Sequence, residues 1–267
     1  MRRPEILGSI VLAAFLIMAV APGTFAPQDP YTRFTPYTPP GSDHLLGTND
    51  MGHDILSELI YGSRVSLFVG FASALLATMV GGIVGIVAGY CRGGIEDLLM
   101  GFTDIILMLP WIPVIIILAV FLGPGIWIFI LIFGAFAWTS IARIIRSKVL
   151  QIRESGFVQS ARCLGFPTWY IMAEEIGPNL FHIAFPQCML LVASAMITEA
   201  SVSFIGLGDP SMKSWGVMLS FAFTKGALIN GMWWWYLPPG IAISICVMAF
   251  ALIGYSREKW VNFEVRE

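Results

Sequence analysis

The sequence predicts an all-α, polytopic membrane protein with six transmembrane helices, and three observations lead there. Of its 267 residues, 57% are hydrophobic and only 12% charged, with a mean hydropathy of +0.79. A soluble domain carries roughly a quarter charged residues, so this apolar excess is too large for one globular core. The apolar residues fall in runs long enough for helices of about 20 residues each. The short alternating segments that mark a membrane barrel are missing.

The first span covers residues 4–21, inside an N-terminal anchor of 1–22. Arg2, Arg3, an apolar run and Ala19-Val20-Ala21 imitate a secretory signal. Pro22 stands just past that cleavage site, however, and five more spans follow, so an uncleaved anchor is expected. Residues 23–64 form an external segment whose early part, with Pro27, Pro30, Pro36, Pro39 and Pro40, is extended and irregular. Its later part, 50–61, suits a short interfacial helix. The whole is long for a structureless connection, which suggests a docking role.

A transmembrane domain of 65–267 holds the other five spans, at 65–90, 98–122, 126–145, 179–204 and 234–255. In the second span Ser73, Ala77, Gly81, Gly85 and Gly89 recur every fourth residue, a stripe of small side chains that lets another helix approach closely. Packing within the chain and packing against another subunit both satisfy the stripe. Placing both termini inside assigns Arg2, Arg3, Arg92, Arg143, Arg146, Lys148, Arg153, Arg162, Arg257, Lys259 and Arg266 to the cytoplasm. Arg33, Arg64, Lys213 and Lys225 then lie outside, a split of 11 to 4 that obeys the positive-inside rule.

The loop between the fourth and fifth spans is the most specific stretch. Within a segment of about 154–168, Phe157, Ala161 and Leu164 recur at helical spacing, giving a short helix with an apolar face. Gly165 stands where a left-handed stop is expected, and Pro167 prevents continuation. Such a helix either rests at the membrane interface or fits a cleft of another protein.

This loop resembles the EAA loop of ABC importer permeases, in which Glu-Ala-Ala is followed after three residues by Gly and further on by Ile-x-Leu-Pro. Gln159, Ser160 and Ala161 stand at the Glu-Ala-Ala positions, Gly165 at the glycine, Gly177 at the leucine and Pro178 at the proline. Residues 44–57, His-Leu-Leu-Gly-Thr-Asn-Asp-Met-Gly-His-Asp-Ile-Leu-Ser, with Ile60-Tyr-Gly-Ser-Arg-Val-Ser-Leu67, resemble the HxLGTDxxGRDxLSRLIYGxRxSL stretch of the dipeptide/oligopeptide/nickel branch. His53 and Glu58 replace its two arginines. Residues 199–208, Glu-Ala-Ser-Val-Ser-Phe-Ile-Gly-Leu-Gly, then Ser214-Trp-Gly-Val-Met-Leu219, resemble EAxLSFLGLG and SWGxML. Gly101, where an arginine is common, and the ending Ala251-Leu-Ile-Gly-Tyr255 depart from the pattern.

The resemblance implies a five-helix core with a peripheral first helix, and a permease forming half of a translocation pathway. It also implies the partners: a second related permease, an external solute-binding protein and two cytoplasmic ATPases carrying ATP and Mg. Phe157, Gln159, Ser160, Ala161, Leu164 and Gly165 are the candidate ATPase-coupling residues. The substrate would be a dipeptide, an oligopeptide, nickel or a metal chelate.

Two acidic residues fall inside spans, Asp104 and Glu199, and a charge in hydrocarbon must face protein or water. Glu199 shares a stripe with Gln187, Ala195 and Ser203. Glu199, Ser203 and Gln187 are therefore pathway candidates, unless Glu199 is a buried carboxylate held by neighbouring hydroxyls. Asp104 is expected to anchor Arg143 or Arg146. A proton-coupled secondary transporter using Asp104 and Glu199 is the alternative, although no internal repeat supports it.

Other chemistry finds no motif. No Gly-Lys dipeptide occurs, so this chain has no Walker phosphate loop and needs no cofactor of its own. His44, His53, His182 and the four cysteines lack metal-ligand spacing. A net charge of −2 gives no nucleic-acid signature. The resemblance therefore implies a transport subunit of the inner membrane, without catalytic residues.

Overall fold

The computed structural model describes residues 3–264. Arg2 and Arg266, and the side chains of Arg3 and Lys259, lie outside what is described. Helices dominate, and the nearest approach to a sheet among the described residues is one isolated bridge between Thr48 and Asp54.

Helix α1 (Arg3–Val20) packs on α11 and α3, and Gly8 allows it to cross close to the Ala249 carbonyl. A single turn, α2 (Pro22–Phe25), follows. The segment expected outside the membrane then ends early, because α3 runs unbroken over Ile55–Tyr90. The sequence reading placed a short helix at 50–61 and a separate span from residue 65; the structure fuses them. The start is set by Asp54, whose carboxylate accepts the Ser57 amide at 2.9 Å. The ladder continues through Gly62, where the Lys213 carbonyl and the Trp215 ring occupy the space a side chain would need. At 36 residues α3 is about 54 Å long, well beyond the ~30 Å hydrocarbon layer.

The third span is not one helix. It breaks into α4 (Gly94–Met108) and α5 (Trp111–Leu122), bent by 82°. Pro110 explains the break, because it lacks an amide and drives Leu109 out of the helical region, to φ −72° and ψ 136°. Helix α6 (Ile126–Ile152) leads to the short α7 (Gly156–Cys163). The next apolar helix, Thr168–Leu207, starts eleven residues before the expected fifth span. It comprises α8 (Thr168–Tyr170), a π-helical turn (Ile171–Ile176), α9 (Gly177–Val202) and a second π-helical turn (Ser203–Leu207). Pro178 falls at the handover from the π turn to α9, where a missing amide is tolerated. Helix α10 (Trp215–Thr224), not anticipated as an element, and α11 (Trp233–Glu264) complete the chain.

Four helices are long and apolar enough to cross a membrane, the bent α4–α5 pair makes a fifth, and α1 is a shorter apolar helix. The small-residue stripe on α3 is spent inside the chain. Gly81 faces the Trp138 carbonyl and Ile141, Gly85 the Ala142 carbonyl and Ile145, and Gly89 Val149 on α6, with Ser73 and Ala77 buried above them. Close backbone contact replaces the hydrophobic drive that lipid removes. A core of Trp215, Trp235 and Phe250 fills the space among α1, α3, α9, α10 and α11, while a second cluster lies beneath α7.

Candidate functional site

Two places hold the chemistry-bearing residues: the α7 elbow at one end of the molecule and the α9–α10 corner towards the other. The elbow is built on its second apolar cluster. Val158 and Ala161 turn inward to join Ile141, Ile145 and Val149 of α6 with Ile171, Ile176 and Leu180. Ala161, expected at the contact with a partner, is therefore only 5% exposed and bedded in its own chain. The outward side carries Phe157, Gln159, Ser160 and Leu164, the last 76% exposed, and continues into Phe166 and Trp169.

The elbow's shape follows from its stop signal. Gly165 has φ +79°, which an L side chain rarely adopts. Its amide donates to the Arg162 carbonyl at 3.0 Å, and the Phe166 amide donates to the Ala161 carbonyl at 3.2 Å. That is the Schellman pair of bonds closing α7. Ion pairs brace the same end. Arg143 donates to Asp104 at 2.6 Å, which settles the choice between its two expected partners. Arg146 takes Glu96 at 2.9 Å instead, and Arg92 reaches Glu154 at 3.1 Å.

At the corner, Glu199 is 7% exposed. One of its oxygens accepts hydrogen bonds from Ser203 at 2.8 Å and from Ser214 at 2.7 Å. Ser214 is also the N-cap of α10, accepting the Val217 amide at 3.2 Å. Gly216 then packs on the Ala200 backbone and Gly208 on Ser203. Of the three pathway candidates, Glu199 and Ser203 come together. Gln187 does not, since twelve helical residues separate it from Glu199 by about 18 Å. A cavity of about 540 Å³ lies between α5, α9 and α11, and its polar lining includes Ser194, Thr198, Ser201 and Tyr255 but not Glu199. Glu199 lines a separate, smaller cavity with Ser203 and Asp209.

Sequence reasoning missed the far side of this corner. Glu58 on α3 accepts from Asn49 Nδ2 at 3.0 Å, its carboxylate lies 3.1 Å from His53 Nδ1, and Lys213 pairs with the same carboxylate. Lys213 also donates to the Pro30 carbonyl at 2.7 Å and sits 4.7 Å over the Tyr31 ring. Both replacements noted in the 44–67 stretch, His53 and Glu58, thus belong to one buried cluster. Trp215 adds bonds from its indole to the Leu59 carbonyl at 2.8 Å and from its amide to Ser66 at 3.1 Å. A serine just before an apolar run was the one available signal for α10; the Glu58–Lys213 pair left none. Among the described residues no group of His, Cys, Asp and Glu has the makings of a metal site.

Residues 81–267 match the model of the binding-protein-dependent transport system inner membrane component. That region holds α7, the Glu199 corner and α11. The chain belongs to this family. The permease, an ABC importer subunit, also has relatives over almost its whole length. A dipeptide transport system permease protein of Bacillus subtilis is 36% identical over 217 residues, covering 81% of this chain and 67% of the relative. An oligopeptide transport system permease protein of the same organism is 32% identical, covering 93% of the permease and 81% of the relative. Its counterpart in Haemophilus influenzae is 30% identical, with 95% and 82% covered. Family membership makes the permease a multi-pass inner membrane protein, and it leaves the secondary-transporter alternative without support. Asp104 is taken up by Arg143 and Glu199 by two serines.

Proposed function

We propose that the permease forms one half of the translocation pathway of an ATP-driven peptide importer. The observation that carries this reading is the α7 elbow. It is a short helix whose inner face is bedded in the chain and whose outer face presents Phe157 and Leu164 with no covering partner in the chain. Exposed apolar side chains held on a rigid support are what a docking helix needs. The occupant of that face is one of two ATPase subunits, which hold ATP and Mg on their own residues. A second, related permease and an external solute-binding protein complete the assembly. Relatives named for dipeptides and oligopeptides favour peptides over nickel or metal chelates as cargo.

In this reading both termini and α7 are cytoplasmic, which the distribution of Lys and Arg supports. Nucleotide-driven closure of the ATPases displaces α7, and the permease passes between outward and inward access as a two-state element. The hydroxyls of Ser194, Thr198 and Ser201 face the open side of α9 and form part of the path wall, with Glu199 behind them.

The test is uptake by the reconstituted importer. Peptide accumulation should need the permease, both ATPase subunits and hydrolysable ATP, and the isolated permease should hydrolyse none. Cysteines at the exposed Thr35 and Thr168 fix the orientation: the first should label from outside and the second only from inside. Nickel uptake without peptide uptake would overturn the cargo assignment, and reversed labelling would overturn the orientation.

A further inference from the structure

Between α7 and the rest of the molecule stands one side chain that no motif singled out. Tyr90 is the last residue of α3. Its carbonyl accepts Arg153 Nη1 at 2.8 Å, at the end of α6, and its hydroxyl accepts Arg162 Nε at 3.1 Å, in the last turn of α7. The Arg162 guanidinium lies 4.8 Å from the ring centroid and that of Arg153 6.0 Å, both within cation–π range. One tyrosine thus ties three helices through two hydrogen bonds and one aromatic ring. The ring also packs on the cluster that beds Val158 and Ala161. Just above it α3 and α6 are in close contact, with Val149 and the Arg146 carbonyl filling the space a side chain at Gly89 would need.

The other end of α3 is tied as firmly. Glu58, in its first turn, holds Lys213, and Leu59 and Ser66 hold Trp215. The 36 residues between Ile55 and Tyr90 form one unbroken helix. The continuous hydrogen-bond ladder of α3 links those two ends in one element, whereas α4 and α5 are bent by 82° at Pro110.

We propose that Tyr90 is the joint through which α7 moves α3, by holding Arg162 of α7 and Arg153, just past the end of α6, to the end of the helix whose other end grips Lys213 and α10. Motion imposed on α7 then reaches the Glu199 corner along a single rod. The proposal rests on α7 being the ATPase contact. Tyr90 is a positioning residue, acting through Arg162 and not on nucleotide or cargo.

The experiment uses the complete importer in liposomes, with peptide uptake and ATP hydrolysis measured together. Tyr90→Leu should leave ATPase association and basal hydrolysis at wild-type levels. Peptide moved per ATP should fall about fivefold or more, the lower range of allosteric couplings. Tyr90→Phe keeps the ring under both guanidiniums and should retain most of that ratio. Combining Tyr90→Leu with Arg162→Gln should cost no more than the worse single variant, because both break one joint. A Tyr90→Leu importer with wild-type uptake per ATP overturns the proposal, as do losses that multiply in the double variant. Failure of Tyr90→Leu to assemble makes the residue merely structural and overturns it too. Should wild-type permease itself not bind the ATPases, the α7 reading fails first, which is a separate result.

Discussion

Ser214 donates to Glu199 across 2.7 Å while its oxygen accepts the Val217 amide at 3.2 Å, so a carboxylate on α9 stands two hydrogen bonds from the first turn of α10. The buried charge that the sequence marks as a possible cargo contact is thereby occupied in fixing a helix start. Its hydrogen bonds hold α10 against α9, while hydroxyls one and two residues away line the cavity between α5, α9 and α11.

Substitutions at Glu199 separate shape from charge. Glu199→Gln keeps an oxygen that accepts from both serines, so thermal stability and peptide uptake should stay close to wild type. Glu199→Leu leaves the Ser214 hydroxyl buried without an acceptor, at about 1–3 kcal/mol, and loosens α10. Melting of the purified permease in detergent should drop for Leu and not for Gln. A stable Gln variant that no longer transports would return Glu199 to the pathway.

In the Glu58–Lys213 pair the glutamate is buried and the lysine largely so, with side-chain exposures of 6% and 14%. Removing one partner strands a charge, which costs about 3–5 kcal/mol. Lys213→Met should therefore be severe, whereas the double variant Glu58→Leu/Lys213→Met should recover much of the loss. Thermal denaturation of the four proteins gives the cycle directly. Additive losses would mean that the pair is not an interaction at all but two independent defects.

On α3, adjacent glycines have opposite expectations. A side chain at Gly81 meets the Trp138 carbonyl and Ile141, while the same addition at Gly82 meets nothing within 4 Å. Gly81→Val should overpack the α3–α6 seam, by about 1–3 kcal/mol. Gly82→Ala should be neutral or gain up to about 1 kcal/mol from helix propensity. Comparable melting temperatures for the two variants would show that the stripe faces away from α6.

How much of this was legible depends on the range of the physics involved. Local signals read well: the apolar runs, the small-residue stripe, and the Gly165 stop beside Pro167 all arise within a few residues of one another. Pro110 was not weighed as a helix breaker, because the apolar run across 98–122 reads as a single span, and the structure breaks it there. The merged start of α3 was hidden because Asp54 reads as an N-cap only once Ser57 is known to follow it in a helix. Pairings across the fold had no local trace. Glu58 and Lys213 are 155 residues apart, and Tyr90 and Arg162 are 72 apart. Each of those residues looks like an ordinary end-of-helix polar group in its own neighbourhood. Ala161 was misplaced for a related reason: helical spacing put it on a face with Phe157 and Leu164. It cannot say which side of so short a helix the chain itself will cover.

That correction makes α7 the sharpest ground for a test. Ala161→Glu now places a carboxylate among Val158, Ile171 and Ile176, where an unpaired charge costs several kcal/mol. The variant should therefore lose stability in the isolated permease, before any partner is added. Gly165→Val forces a β-branched residue into φ +79°, at about 1–2 kcal/mol, and should reset the angle at which α7 leaves the chain. Ser160→Glu and Leu164→Ala change only the exposed face. They should melt like wild type and lose ATPase association in co-purification, because charge or a missing side chain disturbs the contact and not the bed. An Ala161→Glu permease as stable as wild type would invert the assignment of faces. Full ATPase association by both Ser160→Glu and Leu164→Ala would remove α7's outer face from the coupling scheme.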